Sequence, residues 1–147
     1  MIKSFHHVAI SVTNLERSID FYKNVFEMEP VCPAFPFGGA QYESVLELRG
    51  VQGKMCPMKK GEFYLELFEF AEPRPATKEI NYSVADHGLT HFGVEVVDIE
   101  ATYNKMLSAG VRFHSPVVQF ASGMKATYGR DPDGNVFELL ERCPVVK

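Results

Sequence analysis

Two stretches of the chain share one pattern of alternating apolar and polar residues, and each is followed by a segment with helical spacing. Residues 7–16 match residues 91–100 without a gap. Both copies begin with a histidine, carry Asn14 or Asp98 seven residues later, and have a glutamate two residues after that. Alternation predicts a strand, and Asn14 and Asp98 stand where a helix N-cap belongs. The repeat therefore predicts a strand and then a helix in each half.

The rest of each half continues the same plan. Apolar residues at helical spacing predict helices at 15–26 and 99–109. An irregular stretch rich in Pro, Gly and Phe is predicted at 31–40, a hairpin excursion at 50–61 and a linker at 71–87. The predicted extended segments are 41–49 and 62–70 in the first half, and 123–129 and 135–141 in the second. Each half therefore has the order βαβββ, which predicts an α+β fold.

Composition narrows the class of protein. The 147 residues are 46% hydrophobic and 23% charged, with a net charge of −4. This suits one globular domain, excludes disorder and argues against a nucleic-acid partner. No apolar run approaches the roughly 18 residues of a membrane span, and the N-terminus lacks the features of a signal peptide. Three widely spaced cysteines indicate a reducing compartment, so we expect a cytoplasmic protein with no membrane partner.

Strand parity shows which way the two repeated histidines point. One face of the first strand carries His7, Ala9 and Ser11, and the matching face of the second copy carries His91, Gly93 and Glu95. A lone histidine on such a face is usually a surface residue. Two histidines at equivalent repeat positions, beside small neighbours that leave room for a cavity, favour a functional site.

Two glutamates lie in apolar strands, where an unpaired charge is costly. Glu66 shares its face with Tyr64 and Phe68, and Glu138 shares its face with Val136 and Leu140. A partner cation is therefore expected for each carboxylate. The alternative is that both strands lie at sheet edges and their glutamates reach solvent. That alternative is weaker because each glutamate closes its own half, as each histidine opens one.

Together these four side chains form a candidate metal site. If the halves pair by pseudo-twofold symmetry, His7, Glu66, His91 and Glu138 converge in one cleft. Imidazole and carboxylate donors suit one divalent ion per chain, such as Zn²⁺, Ni²⁺, Co²⁺, Mn²⁺ or Fe²⁺. No cofactor other than the metal ion is indicated.

Four segments resemble the vicinal oxygen chelate superfamily, which includes glyoxalase I, methylmalonyl-CoA epimerase, extradiol dioxygenases and fosfomycin and bleomycin resistance proteins. In chain order they are HHVAISVTNLERSIDFY, LELFEF, THFGVEVVDIE and DPDGNVFELLE. The resemblance implies one domain over residues 1–147. It would contain modules at about 4–70 and 88–142 that form a cupped mixed sheet around a metal. The family's ligand positions fall on the same four residues, as in the glyoxalase I and epimerase branches, and a homodimer is implied by analogy alone.

The resemblance also suggests catalytic roles. Glu138 is the best candidate for a base that removes a proton next to a carbonyl, and Glu66 would serve the opposite face of the carbon in an epimerase. Glu43 and Glu47, predicted on one strand face, resemble the region of a further epimerase glutamate, although a solvated strand face explains them somewhat better. Tyr128 stands where dioxygenases often place an acid–base tyrosine.

Three functions remain open at this point. The leading one is a metal-dependent lyase, isomerase or epimerase that stabilises an enolate or enediolate of a small substrate with vicinal oxygens. The second is an Fe²⁺ extradiol dioxygenase, which Gln119 disfavours because it occupies the region where the best-known members carry a histidine. The third is a non-catalytic protein that binds a small molecule of the antibiotic type. The substrate is expected to be partly apolar because of six residues in the irregular segments, although these residues could equally form a small secondary core or a dimer interface: Phe35, Phe37, Met55, Met58, Phe120 and Met124.

Overall fold

Each repeat forms the strand and helix that its pattern predicts. In the computed structural model, which describes residues 1–76 and 78–142, helix α1 spans Leu15–Phe26 and helix α3 spans Ile99–Ser108. Asn14 accepts a hydrogen bond from the Arg17 amide, and Asp98 accepts one from the Ala101 amide. These side chains satisfy amides that a helix leaves free at its start, so both predicted N-caps are confirmed.

The chain divides into two compact units, residues 1–77 and 78–147, each of which is described by itself. Unit 1 holds a mixed five-stranded sheet in the order β1-β5-β4-β2, with β3 also paired to β4. Strand β1 runs parallel to β5, and the other pairings are antiparallel. Its elements are β1 His7–Ser11, α1, β2 Glu29–Pro30, β3 Phe35–Gly38, α2 Ala40–Leu46, β4 Gln52–Lys60 and β5 Phe63–Glu72.

Unit 2 repeats this topology. Its sheet order is β6-β10-β9-β7, with β8 paired to β9, and β6 runs parallel to β10. Its elements are β6 Phe92–Glu95, α3, β7 Arg112–Phe113, β8 Val118–Gln119, β9 Lys125–Arg130 and β10 Val136–Glu141. In each unit two short strands pair with successive parts of one long strand, so they act as a single interrupted edge strand. The predicted α+β fold built from tandem βαβββ repeats is confirmed, whereas the module limits stay a prediction.

Three predictions about unit 1 are wrong. Residues 41–49 were expected to be extended, but α2 begins at Ala40 and Glu47 caps its end with a φ of 54°. The segment fits both periods, because Tyr42, Val45 and Leu46 also have helical spacing. The expected excursion at 50–61 is instead the long strand β4, and the expected irregular stretch at 31–40 contains β3.

At one position in the core of unit 2, a glycine makes room for a large side chain on the neighbouring strand. Gly129 pairs with Phe137, and a Cβ at Gly129 would lie 2.4 Å from the aromatic ring. The corresponding pair in unit 1 is Met58 and Leu65, both fully buried. The two sheets therefore divide a similar volume differently between neighbouring strands.

Two further features bear on the expectations from composition. Within the described residues no helix is long and apolar enough to cross a bilayer. Cys32 and Cys56 are free thiols, and burial raises the pKa of Cys56, with a further contribution from the neighbouring Cys32. Cys143 lies outside the described residues.

Candidate metal centre

In unit 1, parallel pairing of β1 with β5 brings His7 and Glu66 together. The register places Ala9 beside Glu66, and His7 lies two residues earlier on the same face. His7 Nε2 and Glu66 Oε2 are 3.5 Å apart. The other imidazole nitrogen, Nδ1, lies 3.0 Å from His6 Nδ1, which leaves Nε2 directed toward the carboxylate.

Unit 2 builds the same pair at the equivalent positions. Gly93 of β6 pairs with Glu138 of β10, and His91 lies two residues before Gly93. His91 Nε2 and Glu138 Oε2 are also 3.5 Å apart. Here the imidazole Nδ1 lies 2.9 Å from the Thr90 hydroxyl. Each histidine therefore lies beside the glutamate of its own unit, whereas the convergence of all four side chains in one cleft stays a prediction.

Small residues leave the space beside each carboxylate open. A Cβ at Gly93 would lie 3.6 Å from Glu138 Oε2, and the equivalent position in unit 1 is Ala9. The exposed fractions of the side chains are 41% for His7 and 24% for Glu66, against 28% for His91 and 15% for Glu138. Both pairs are therefore accessible, and the pair in unit 2 is the more enclosed.

Tyr128 joins the pair in unit 2. It lies opposite Glu138 on β9, and its ring meets the His91 ring edge to face at 4.9 Å between centroids. Burial raises the pKa of Tyr128, and the charge of Glu138 together with a hydrogen bond to that carboxylate adds to the effect. Tyr128 is therefore a protonated phenol at neutral pH and donates to Glu138.

Two other predicted residues lie elsewhere. Glu43 is in α2, where its carbonyl accepts the amides of Glu47 and Leu48. Glu47 is exposed at the C-cap of α2. The prediction that they share one face of a strand is wrong, because residues 40–46 are helical.

Two glutamates with a structural role were not assigned from the sequence. Glu69 Oε2 accepts the Leu15 amide at 2.6 Å, and Glu141 Oε2 accepts the Ile99 amide at 2.8 Å. Each carboxylate therefore sits at the N-terminus of its unit's long helix, where a negative charge is favourable. The signal in the sequence was their spacing, since each follows the strand glutamate of its half by three residues.

The geometry of the repeated pairs agrees with a comparison against family models. The model of the Glyoxalase/Bleomycin resistance protein/Dioxygenase superfamily matches residues 4–139. The chain belongs to this superfamily.

Several relatives resemble this glyoxalase-superfamily chain over nearly its whole length. Metallothiol transferase FosB from Shouchella clausii is 27% identical, with 95% of this chain and 80% of FosB covered. A glyoxalase family protein from Bacillus cereus has a TM-score of 0.86 at 20% identity, covering 96% of this chain and 95% of its own. A mutant of the fosfomycin resistance protein FosX from Listeria monocytogenes, complexed with Mn(II), has a TM-score of 0.63 at 18% identity, covering 95% and 92%. The two structures show that the fold is shared.

The donor pairs fit a divalent ion. Two donors bound to one tetrahedral ion at about 2.0–2.2 Å lie about 3.3–3.6 Å apart, which includes the 3.5 Å found in both units. A contact to the second imidazole nitrogen also fixes each histidine, as is usual for metal-binding imidazoles. Within each unit, among the described residues, no three His, Cys, Asp or Glu side chains gather as a metal cluster. Each unit therefore holds one pair of potential donors, and the four-ligand site stays a prediction.

An apolar cavity of about 410 Å³ opens beside the pair in unit 1. Three residues of helix α2 line the cavity, namely Tyr42, Val45 and Leu46. His7 and Glu66 are part of its polar lining. Of the residues for which the sequence left open either a substrate entry or a small core, Phe37, Met55 and Met58 are buried in the core. The residues that line the cavity are His7, Ala9, Ile10, Ser11, Tyr42, Val45, Leu46, Glu66, Phe68 and Phe70.

Proposed function

We propose that this protein is a divalent-metal-dependent lyase, isomerase or epimerase of the glyoxalase superfamily. Its substrate is a small molecule with vicinal oxygens, converted through an enolate or enediolate. The observation that carries the proposal is the repeated pair, with a histidine Nε2 and a glutamate Oε2 at 3.5 Å in both units. An accidental surface contact would have no reason to recur at equivalent positions with the same separation.

The proposal assigns one metal ion per chain to four ligands, His7, Glu66, His91 and Glu138. Zn²⁺, Ni²⁺, Co²⁺, Mn²⁺ and Fe²⁺ all accept imidazole and carboxylate donors. When bound, such an ion polarises a carbonyl oxygen and stabilises negative charge that develops on it. FosX, complexed with Mn(II), offers an analogy for the metal at the level of the fold.

The side chains then divide the proton transfer between them. Glu138 accepts the proton from the carbon next to the carbonyl, and Tyr128 holds the carboxylate in place through its hydrogen bond. In an epimerase, Glu66 in its protonated form would deliver a proton to the other side of the carbon, and the proton that Glu138 has taken would leave to solvent. The apolar cavity in unit 1 takes the hydrocarbon part of the substrate and keeps water from the carbon that reacts.

A second candidate function is ring cleavage by an Fe²⁺ extradiol dioxygenase. The observation that favours it is Tyr128, which contacts both His91 and Glu138 and stands where dioxygenases often place an acid–base tyrosine. Such an enzyme consumes oxygen with catechols and does not need Glu66. Metal binding that survives Glu66→Ala, together with oxygen uptake, would favour this second function.

The setting of the reaction follows from the same proposal. We place the enzyme in the cytoplasm, acting on a small molecule and assembled as a homodimer. Size-exclusion chromatography with light scattering tests the dimer, and a monomeric mass would contradict it.

Elemental analysis of untagged protein tests the proposed metal centre. We expect close to one Ni, Co, Zn, Mn or Fe per chain, lost in His7→Ala and in His91→Ala and kept in His87→Ala. His87 is a suitable control because it is an exposed histidine that belongs to neither pair. If neither wild type nor control binds a metal after reconstitution, the pairs are structural, and the third possibility, a small-molecule-binding protein, takes precedence.

A further inference from the structure

Two arginines and a histidine lie on the sheet face that carries Glu138 and Tyr128. Arg130 lies two residues beyond Tyr128 on β9, and Arg112 pairs with Arg130 from β7. His114 donates its amide to the Tyr128 carbonyl at 2.8 Å, which places it opposite Tyr128. Since side chains alternate along a strand, all four residues share the face of Glu138.

Arg130 is buried but is held by neutral groups. It is 7% exposed, and its guanidinium contacts His114 Nε2 at 3.0 Å, the Gly134 carbonyl at 2.9 Å and the Tyr82 carbonyl at 2.7 Å. The ring of Tyr82 lies 4.8 Å from its Cζ and also 3.6 Å from the Lys78 ammonium. These hydrogen bonds fix the guanidinium in place and compensate for its burial, but none of them brings a negative charge to it.

Neither arginine of this group is neutralised nearby. Within residues 78–142 no ion pair joins Arg112 or Arg130 to a carboxylate, and the described side-chain partner of Arg112 is Asn81 Oδ1. Asp131 directs its carboxylate to the amides of Asp133 and Asn135. A buried cation is costly unless an anion or several hydrogen bonds compensate for it.

The cations line an open cavity of about 390 Å³. Arg112 is exposed, so its remaining donors are accessible to a ligand. Burial lowers the pKa of His114, and the charges of Arg130 and Arg112 lower it further. The two arginines therefore give the lining of the cavity a net positive charge. The residues lining the cavity are Asn81, Arg112, Phe113, His114 and Arg130.

We propose that Arg112 and His114 bind an oxyanion, namely a carboxylate or phosphate-type group carried by the substrate, while the buried Arg130 holds His114 through its Nε2 and adds positive charge. Guanidinium groups present paired donors to such oxygens. His114 stacks on Tyr128 at 6.2 Å between ring centroids, and Tyr128 touches His91, so the anion site adjoins the candidate ligands. The site itself rests on these contacts, while its part in substrate binding rests on the proposed function.

Calorimetric titration with inorganic phosphate tests the site in metal-free protein. We expect binding in wild type, at least about 10-fold weaker binding in Arg112→Gln, since a hydrogen bond to a charged group is lost, and partial recovery in Arg112→Lys. Arg49→Gln is the matched control, because Arg49 is an exposed arginine of unit 1. Absence of phosphate binding, or equal affinity in wild type and Arg112→Gln, overturns the proposal.

Two further measurements separate this site from the metal centre and from a site for free phosphate. His91→Ala should lose metal yet keep phosphate binding. Wild-type protein that binds phosphate but no metal would contradict the proposed function and leave the anion site intact. Metal binding without phosphate binding would sink the anion site alone. In metal-loaded protein, 2-oxopropylphosphonate, which joins an oxyanion to a carbonyl, should bind more tightly than phosphate. Rejection of this probe would overturn the part in substrate binding.

Discussion

The two units build the same His–Glu pair and surround it differently. Across the sheet from Glu66 lies Pro57, and across from Glu138 lies Tyr128. A proline offers the carboxylate no hydrogen bond, whereas the phenol donates one. Repetition has therefore preserved the positions of the donors while the neighbouring strand differs between the units.

The difference extends to what can approach each pair. Unit 1 inserts α2 and forms an apolar cavity with Tyr42 and Leu46, whereas the described part of unit 2 has a polar cavity with Arg112 and Arg130. The cavity in unit 1 includes the pair itself in a mostly apolar lining, whereas the cavity in unit 2 is lined by two arginines and reaches the pair only through the contact of His114 with Tyr128.

The largest effect should come from removing the carboxylate in unit 2. Glu138→Gln is expected to weaken Ni²⁺ or Mn²⁺ binding at least about 100-fold, because even partners of ligands are worth 10–100-fold. Glu66→Gln should cost less, since Glu66 is more exposed and is not hydrogen-bonded by a tyrosine. Competition with a chelator measures both affinities, and equal losses would mean that the units contribute symmetrically.

A core substitution should have the next largest effect. Gly129→Ala places a methyl 2.4 Å from the Phe137 ring, so we expect about 1–3 kcal/mol of destabilisation from overpacking. Phe137→Leu in the same chain should restore part of it, since unit 1 fills the equivalent space with Leu65 beside Met58. Urea unfolding of the single and double variants gives the coupling, and additive losses would contradict the idea of exchanged volume.

The sequence was sufficient for features that the repeat states twice. One aligned pattern predicted both long helices and their caps, Asn14 and Asp98. It also singled out the two histidines that the structure places beside a glutamate, although it did not predict that each pair forms within one half. Parity gave the direction of each side chain because a strand alternates strictly. A feature present in both halves is difficult to assign to the wrong element.

Features present in one half were harder to predict. Helix α2 has no counterpart among the described residues of unit 2. Its seven residues fit an alternating pattern as well as a helical one, and Glu43 and Glu47 were therefore assigned to a strand. The proximity of the two arginines in unit 2 could not be predicted either. Arg112 and Arg130 are distant in sequence and come together through the pairing of β7 with β9. Local pattern contains no information on such pairing.

Helix ends offer a smaller test of the same contrast. Glu47 ends α2 with a φ of 54°, whereas Gly110 follows α3 with a φ of 84°. Glu47→Gly should stabilise the protein by up to about 1 kcal/mol, and Gly110→Ala should destabilise it by about 1 kcal/mol, because a left-handed conformation favours glycine. Thermal unfolding measures both, and a loss of stability in Glu47→Gly would show that its side chain matters more than its backbone.

The smallest effect concerns the ionisation of His114 in unit 2. Burial and the charges of Arg130 and Arg112 hold its pKa below the ordinary value, so Arg112→Gln should raise that pKa by removing one charge. A depressed pKa means that the unfolded chain binds the proton more readily. His114 therefore contributes stability that is present above about pH 6.5 and is lost as the pH falls through its folded-state pKa. NMR titration of the histidine ring protons measures the shift, with exposed His87 as the internal control. An unchanged pKa in Arg112→Gln would mean that burial alone depresses it, and the electrostatic contrast between the two units would then rest on Arg130.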